Sequence, residues 1–526
     1  MMRSILASLL VLTASPALAQ SPDQQPPPTP PAPEPPQPPQ PPQPPAPPEP
    51  PQPAQPAHDN WGVPPAHEEP PPLAPVAAPP ADKPPAHAKW DATFYGFVEA
   101  DTILDSTQGL SDLVGSSAIQ RPGSYVGDHG QMMMGARNSR FGVKLAAPDY
   151  NGIKASGMLE MDFLGNQPGS VFTSYGTATG GATGSTALIS EQQFWQNPTM
   201  RFRHANVKLE TKVVDILIGQ YWQLFGWQST FHPSSVEIQG LPGQVYSRSP
   251  QIRVSKKIKS GDVAVEVAIA ASRPPQRASA TPDGQAGIKV SYDGVKALHT
   301  AGATGTATDG LSIGVSAVGR RFAVANYATT ESYQVTKDGY GLSIDALIPI
   351  VPAHKDRHDN ATTLTASYTT GAGIADLYQS LSGGVSNPAL PNPTMANPAP
   401  AWVPNVDPGL VMWFPDAAAA GGFSLHAVQW STAMVGLQYY LPVKNYTWLA
   451  VNYSNTQSDN AKYFGGLSAA GAKKVWNSEN FYDVSLLSDV TPAVRLGLEG
   501  ALYDMTYVDN TEGKDYRLQF SAFYLF

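Results

Sequence analysis

The strongest signal in this chain is a side-chain period of two. Over the last eleven positions Tyr516, Leu518, Phe520, Ala522, Tyr524 and Phe526 share one face. Arg517, Gln519 and Ser521 begin the other, whose end, Phe523 and Leu525, is apolar as well. Successive side chains of a strand point to opposite faces, so this segment has one greasy side and one mostly polar side. A membrane barrel needs that division, with lipid outside and a lumen inside. Alternation alone also fits a soluble sheet.

The same texture runs from about Ala92 to the end, in segments separated by connections that are short and long by turns. The short ones are residues 146–152, 210–212, 259–262, 293–309, 350–360, 441–445 and 489–492. The long ones are 105–137, 165–198, 223–249, 371–422 and 455–478. Short turns on one rim and long loops on the other are how outer-membrane barrels are arranged. Seven short turns and both termini on one side predict an all-β, transmembrane antiparallel β-barrel of about 16 strands. Leu311 to Tyr327 and Phe423 to Leu441 each read as one long strand or two shorter ones, which leaves the count open by a hairpin.

The polar phase of each strand names the inward side chains. Phe141, Val143 and Leu145 face lipid, which turns Asn138, Arg140 and Lys144 inward; Leu159, Met161 and Phe163 likewise turn Lys154, Glu160 and Asp162 inward. Arg201 and Arg203 follow, and a phase slip before Val207 and Leu209 predicts a bulge around His204 to Asn206. Gln251, Arg253, Ser255 and Lys257 share a phase, as do Glu99 and Asp101 near the start and Arg495, Glu499 and Arg517 near the end. A charge facing lipid at mid-depth costs about 2–4 kcal/mol, so the inward assignment is the cheaper one. The basic set (Arg140, Arg201, Arg203, Arg253) and the acidic set (Glu99, Asp101, Glu160, Asp162) predict a transverse field across a narrow lumen; mutually paired wall charges are the alternative. Trp195, Tyr221, Trp222, Trp227, Tyr439, Tyr440, Tyr446 and Trp448 fall near strand ends and suggest interfacial girdles.

Composition divides the chain. Arg3, an apolar run from Ile5 to Leu12 and Ala17-Leu18-Ala19 read as a signal peptide over residues 1–19. Residues 20–89 hold 31 of the 54 prolines; proline fixes φ and removes a donor, so a disordered, extended periplasmic linker is expected there, with the barrel over 90–526. His58, His67 and His87 are too scattered in that linker to suggest a metal site. With no cysteine there is no disulfide framework and no lipid-anchored Cys. Outside the signal no apolar run approaches the roughly 18 residues of a membrane helix. A net charge of -9 argues against a nucleic-acid partner. His129, His204, His232, His299 and His426 lack any flanking catalytic motif, so neither an enzyme nor a metal or other cofactor is expected.

Phe94 to Asp101, Ala136 to Lys144, Leu217 to Phe225, Arg248 to Arg253 and the terminal strand ending on Phe526, in that order, resemble the DcaP-like porins of Gram-negative outer membranes. The resemblance covers roughly Ala92 to Phe526. It implies an outer-membrane homotrimer of sixteen-stranded barrels surrounded by lipid, passing small-molecule solutes, and small anions such as dicarboxylates in particular. It also implies that the barrel-assembly machinery reads Phe526, and that the loop from Trp222 to Ser249, with Trp227, Phe231, His232 and Glu237, folds inward as a constriction. Family members can carry a helical amino-terminal extension, and the proline-rich segment departs from that pattern. Two other readings stay open: a general diffusion porin, and a barrel that anchors a proline-rich arm contacting peptidoglycan.

Overall fold

The computed structural model describes residues 90–526 apart from 114, 116–118, 166–197, 229, 276–278, 302, 326–333, 354–357, 382–408, 420–422, 445 and 463–475. The expected signal peptide and linker, residues 1–89, and Trp195 lie outside the described residues.

The first half of the wall is β1 (Asp91–Asp105), β2 (Gln131–Gly135), β3 (Arg140–Ala146), β4 (Lys154–Gly165), β5 (Thr199–Glu210), β6 (Asp215–Trp222), β7 (Arg248–Ser260), β8 (Val263–Ser272) and β9 (Asp283–His299). The second half is β10 (Ala307–Ala325), β11 (Gln334–Val351), β12 (Thr362–Ala372), β15 (Gln429–Tyr440), β16 (Thr447–Gln457), β17 (Trp476–Thr491), β18 (Val494–Tyr507) and β19 (Glu512–Leu525). Both β2 and β3 pair with β1, as two halves of one interrupted strand, so the closed antiparallel barrel has 16 strands. Of the two ambiguous segments, the first forms the single strand β10. The second divides, because β14 (Phe423–Ala427) leaves the wall to pair with β13 (Val411–Pro415).

The ring closes between β1 and β19, in register from Phe97 opposite Leu525 to Asp105 opposite Arg517. Beyond them Gly96 and Phe526 exchange backbone hydrogen bonds at 2.9 and 3.0 Å. A Cβ on Gly96 would stand 2.3 Å from the Arg140 carbonyl oxygen and 2.9 Å from the Phe526 ring, so glycine is what lets the terminal aromatic lie there.

Outside, Phe94, Val98, Met132, Met134, Ile218, Ile252, Tyr340 and Tyr516 are exposed, the surface a lipid-facing wall presents. Inside, Arg517, Gln519 and Ser521 are buried, as the terminal alternation predicts, together with Phe523. The main hydrophobic cluster lies within the long-loop half of the barrel. It joins Leu110 and Ile119 from the loop after β1, Phe225, Leu241 and Val245 from the loop after β6, and Leu377 and Leu410 from the loop after β12.

The girdle expectation fails for four of its members. Trp222, Trp227, Tyr440 and Trp448 are buried, the last two completely, because they pack on inserted segments rather than at a lipid interface. Tyr446 remains exposed.

Candidate solute path

The β3–β4–β5 register sets Arg140 opposite Asp162, Glu160 opposite His204 and Asp162 opposite Arg201. The bulge predicted from the phase slip is present one step earlier in the chain: Glu160 pairs with His204 and Met161 with Phe202, leaving Arg203 as the extra residue. Two consecutive side chains, Arg203 and His204, are therefore buried on the lumen side.

Arg203 donates from Nε to Glu160 at 2.7 Å, from Nη1 to Asp162 at 3.0 Å and from Nη2 to the Tyr246 hydroxyl at 3.2 Å. Arg201 grips Asp162 in a bidentate fork at 3.0 and 2.7 Å, and Arg140 lies 3.8 Å from Glu160. The transverse field expected from opposed walls is thus corrected. Glu160 and Asp162 sit on the strand between the arginines and pair with them sideways, because cross-strand neighbours on one face are the closest charges available. Elsewhere on the wall Arg517 forks onto Asp105 and Arg495 onto Asp489. Arg253 donates to Gln251 and to the Trp222 carbonyl. Lys144 lies over the Tyr95 ring at 4.6 Å, and Lys257 is exposed on the phase of Arg253. Glu99 and Asp101 are buried on β1, where Asp101 accepts from Ser521 and Asn138.

The 223–247 loop folds into the barrel and crosses it. Trp227 donates to the Val315 carbonyl and lies against Gly287 and Gly314, where Cβ atoms would come within 3.0 and 2.7 Å of its ring. Phe231 packs beside it, so these two residues anchor the loop to the neighbouring β9–β10 wall instead of lining a passage. Trp448 donates to Ser234 Oγ, and the Val236 amide donates to Glu499 at 2.7 Å. His232 and Glu237, by contrast, line an internal cavity of about 200 Å³ with Arg140, Arg203, His204 and Tyr246. A second cavity, of about 340 Å³, is lined by Arg201, Arg248, Tyr246 and Gln379 among others. Tyr246 belongs to both.

Burial pushes the His232 imidazole down to about 3, so it is neutral. Burial pushes the Glu237 carboxyl up to about 8, and Glu499 and Asp101 push the same way while Arg517 opposes them. Burial also resists ionisation of Tyr246, yet Arg203, Arg140 and Arg248 outweigh it and bring the phenol down to about 8.

Arg248 and Tyr246 are the contributors that periodicity missed. Arg248 stacks over Trp222 at 4.7 Å and over Tyr246 at 5.3 Å. Its place at the first position of β7 was the available signal, whereas nothing in the local pattern marks a loop tyrosine.

One solved structure shares the fold, and others align more loosely. The outer membrane channel DcaP of Acinetobacter baumannii aligns with a TM-score of 0.57 at 17% identity, over 84% of this chain and 98% of that one. An anion-selective porin from Comamonas acidovorans aligns at 0.44 and 10% identity, over 83% of this chain and 100% of that one. OprB of Pseudomonas putida aligns at 0.42 and 10% identity, over 83% and 94%. No protein-family model and no curated protein matches the chain.

Proposed function

We propose that this chain is an outer-membrane porin, a passive channel for small hydrophilic solutes that favours small anions such as dicarboxylates. The observation that carries this reading is the pair of cavities along the β3–β7 wall. Four guanidiniums, Arg140, Arg201, Arg203 and Arg248, surround them, against three carboxyl groups, Glu160, Asp162 and Glu237, of which burial keeps Glu237 protonated at neutral pH. A guanidinium stays charged and presents a fork that matches a carboxylate, so a solute anion exchanges hydration for paired hydrogen bonds. Sideways pairing cancels part of that field, and the excess of arginine leaves the rest.

On this reading the barrel spans the outer membrane as a homotrimer, Phe526 serves the assembly machinery, and the proline-rich segment is a periplasmic arm. A second reading, a general diffusion porin, draws support from Glu99, Asp101, Glu237 and Glu499, which are buried in the same lumen. Proteoliposome swelling separates the two. Succinate is expected to enter faster than a neutral sugar of similar size, and equal rates would favour general diffusion.

A further inference from the structure

Residues 244–246 of the inserted loop run beside the loop that follows β12. Val245 bridges Tyr378, the Tyr246 amide donates to the Leu377 carbonyl at 2.8 Å, and the Gln379 amide donates to the Gln244 carbonyl at 2.9 Å. Val245 packs in the main hydrophobic cluster. Successive side chains of an extended segment point opposite ways, so Tyr246 turns away from that cluster and towards the arginines. Its backbone is fixed between two loops, while its side chain stands among charged and polar groups.

The ring makes T-shaped contacts with Trp222 at 4.7 Å and His232 at 5.4 Å. Gly240 packs against it, and a Cβ there would come within 2.9 Å of the ring. Arg248, which lines the second cavity, lies over the ring; Arg203, which lines the first, donates to its hydroxyl. The phenol therefore stands between two guanidiniums and between the two cavities whose linings it shares. Its hydroxyl contacts are long, 3.2 Å from Arg203 Nη2 and 3.3 Å to the Ile238 carbonyl. Arg203 meets its carboxylates more closely, at 2.7 Å to Glu160 and 3.0 Å to Asp162.

We propose that Tyr246 sets the solute specificity of this path: its ring divides the two cavities, and its hydroxyl holds on Arg203 the place that a carboxylate of a passing solute takes. The inference rests on the anion-channel reading above. A carboxylate meets a guanidinium as an ion pair, with opposite charge as well as hydrogen bonds, where the neutral phenol offers a single hydrogen bond. A small carboxylate therefore gains by displacing the phenol. The hydroxyl of a neutral solute replaces it like for like and has no surplus with which to turn the ring. Because the Tyr246 backbone is held by its bridge to the neighbouring loop, the exchange is a side-chain rotation and no loop has to leave the lumen.

The test compares the full-length native protein with Tyr246→Phe and Tyr246→Ala, in planar bilayers and by proteoliposome swelling, with heat-modifiable gel mobility checking assembly. Phenylalanine keeps the ring and removes the hydroxyl. KCl conductance is expected to stay close to native, while the succinate concentration that halves the KCl current falls by about fivefold, the equivalent of the one hydrogen bond that succinate no longer has to replace. Alanine removes the partition, so conductance is expected to rise and the preference for succinate over a neutral sugar to be lost. Where the alanine variant does not assemble, the phenylalanine variant decides alone, since a purely structural role for the ring would not move succinate inhibition at constant conductance. Unchanged succinate inhibition in Tyr246→Phe, or an undiminished succinate preference in Tyr246→Ala, overturns the role of Tyr246 and leaves the channel reading in place. An assembled native barrel that passes no current, or that shows no succinate preference, overturns that reading and this inference with it.

Discussion

Arg203 is completely buried and meets Glu160 through a 2.7 Å hydrogen bond across the β4–β5 seam, at a bulge that gives β5 one residue more than β4. The pair belongs to the wall's framework as much as to its field. Arg203→Gln is expected to destabilise the barrel by about 3 kcal/mol, because it leaves Glu160 and Asp162 buried with fewer partners. Arg201, whose side chain is 31% exposed, is expected to lose less than about 1 kcal/mol on the same change. Urea titrations of the folded fraction, read by heat-modifiable gel mobility, compare the two; equal losses would contradict the ranking.

Deleting Phe526 is expected to reduce the amount of assembled protein far more than it alters conductance. It removes both hydrogen bonds with Gly96 and leaves the end of β1 unpaired at the ring's seam. Quantifying folded barrel in isolated outer membranes checks this, and normal levels would contradict it.

The 223–247 loop is expected to loosen as pH rises. The Glu237 carboxyl is raised from its ordinary 4.5 to about 8 by burial, with Glu499 and Asp101 acting the same way. Its protonated form therefore contributes stability that is complete below about 4.5 and lost as pH rises through about 8. Arg517 on β19 opposes the shift, and Glu99 on β1 is a further carboxyl coupled to Glu237. The melting temperature should fall between pH 6 and pH 9 in the native chain and fall less in Glu237→Gln. Parallel curves for the two proteins would sink this assignment.

Limited proteolysis is expected to remove residues 20–89 and leave a β-rich core. The proline repeats deny that segment the donors a sheet or helix needs. A protease-resistant amino-terminal fragment would contradict it.

The wall was legible because a barrel whose two faces differ imposes a period of two on its strands, and the phase slip before Val207 announced a bulge within a residue of where it lies. The two faces of the terminal strand follow from that constraint, whereas it left open whether residues 311–327 and 423–441 each form one strand or two. Contacts between segments distant in sequence were not legible. Trp227 and Phe231 look like constriction residues until the glycines at 287 and 314 on β9 and β10 are seen to receive them. Trp448 and Tyr440 sit where girdle residues sit, and only the inserted segments explain their burial.

The most direct test of the central claim is the reversal potential of the native channel in a KCl gradient, measured beside the Arg201→Gln, Arg248→Gln double variant. The account predicts anion preference in the native protein and a clear shift towards cations in the variant, since both guanidiniums line the second cavity. Cation selectivity in the native channel, or an unchanged potential in the variant, would contradict it.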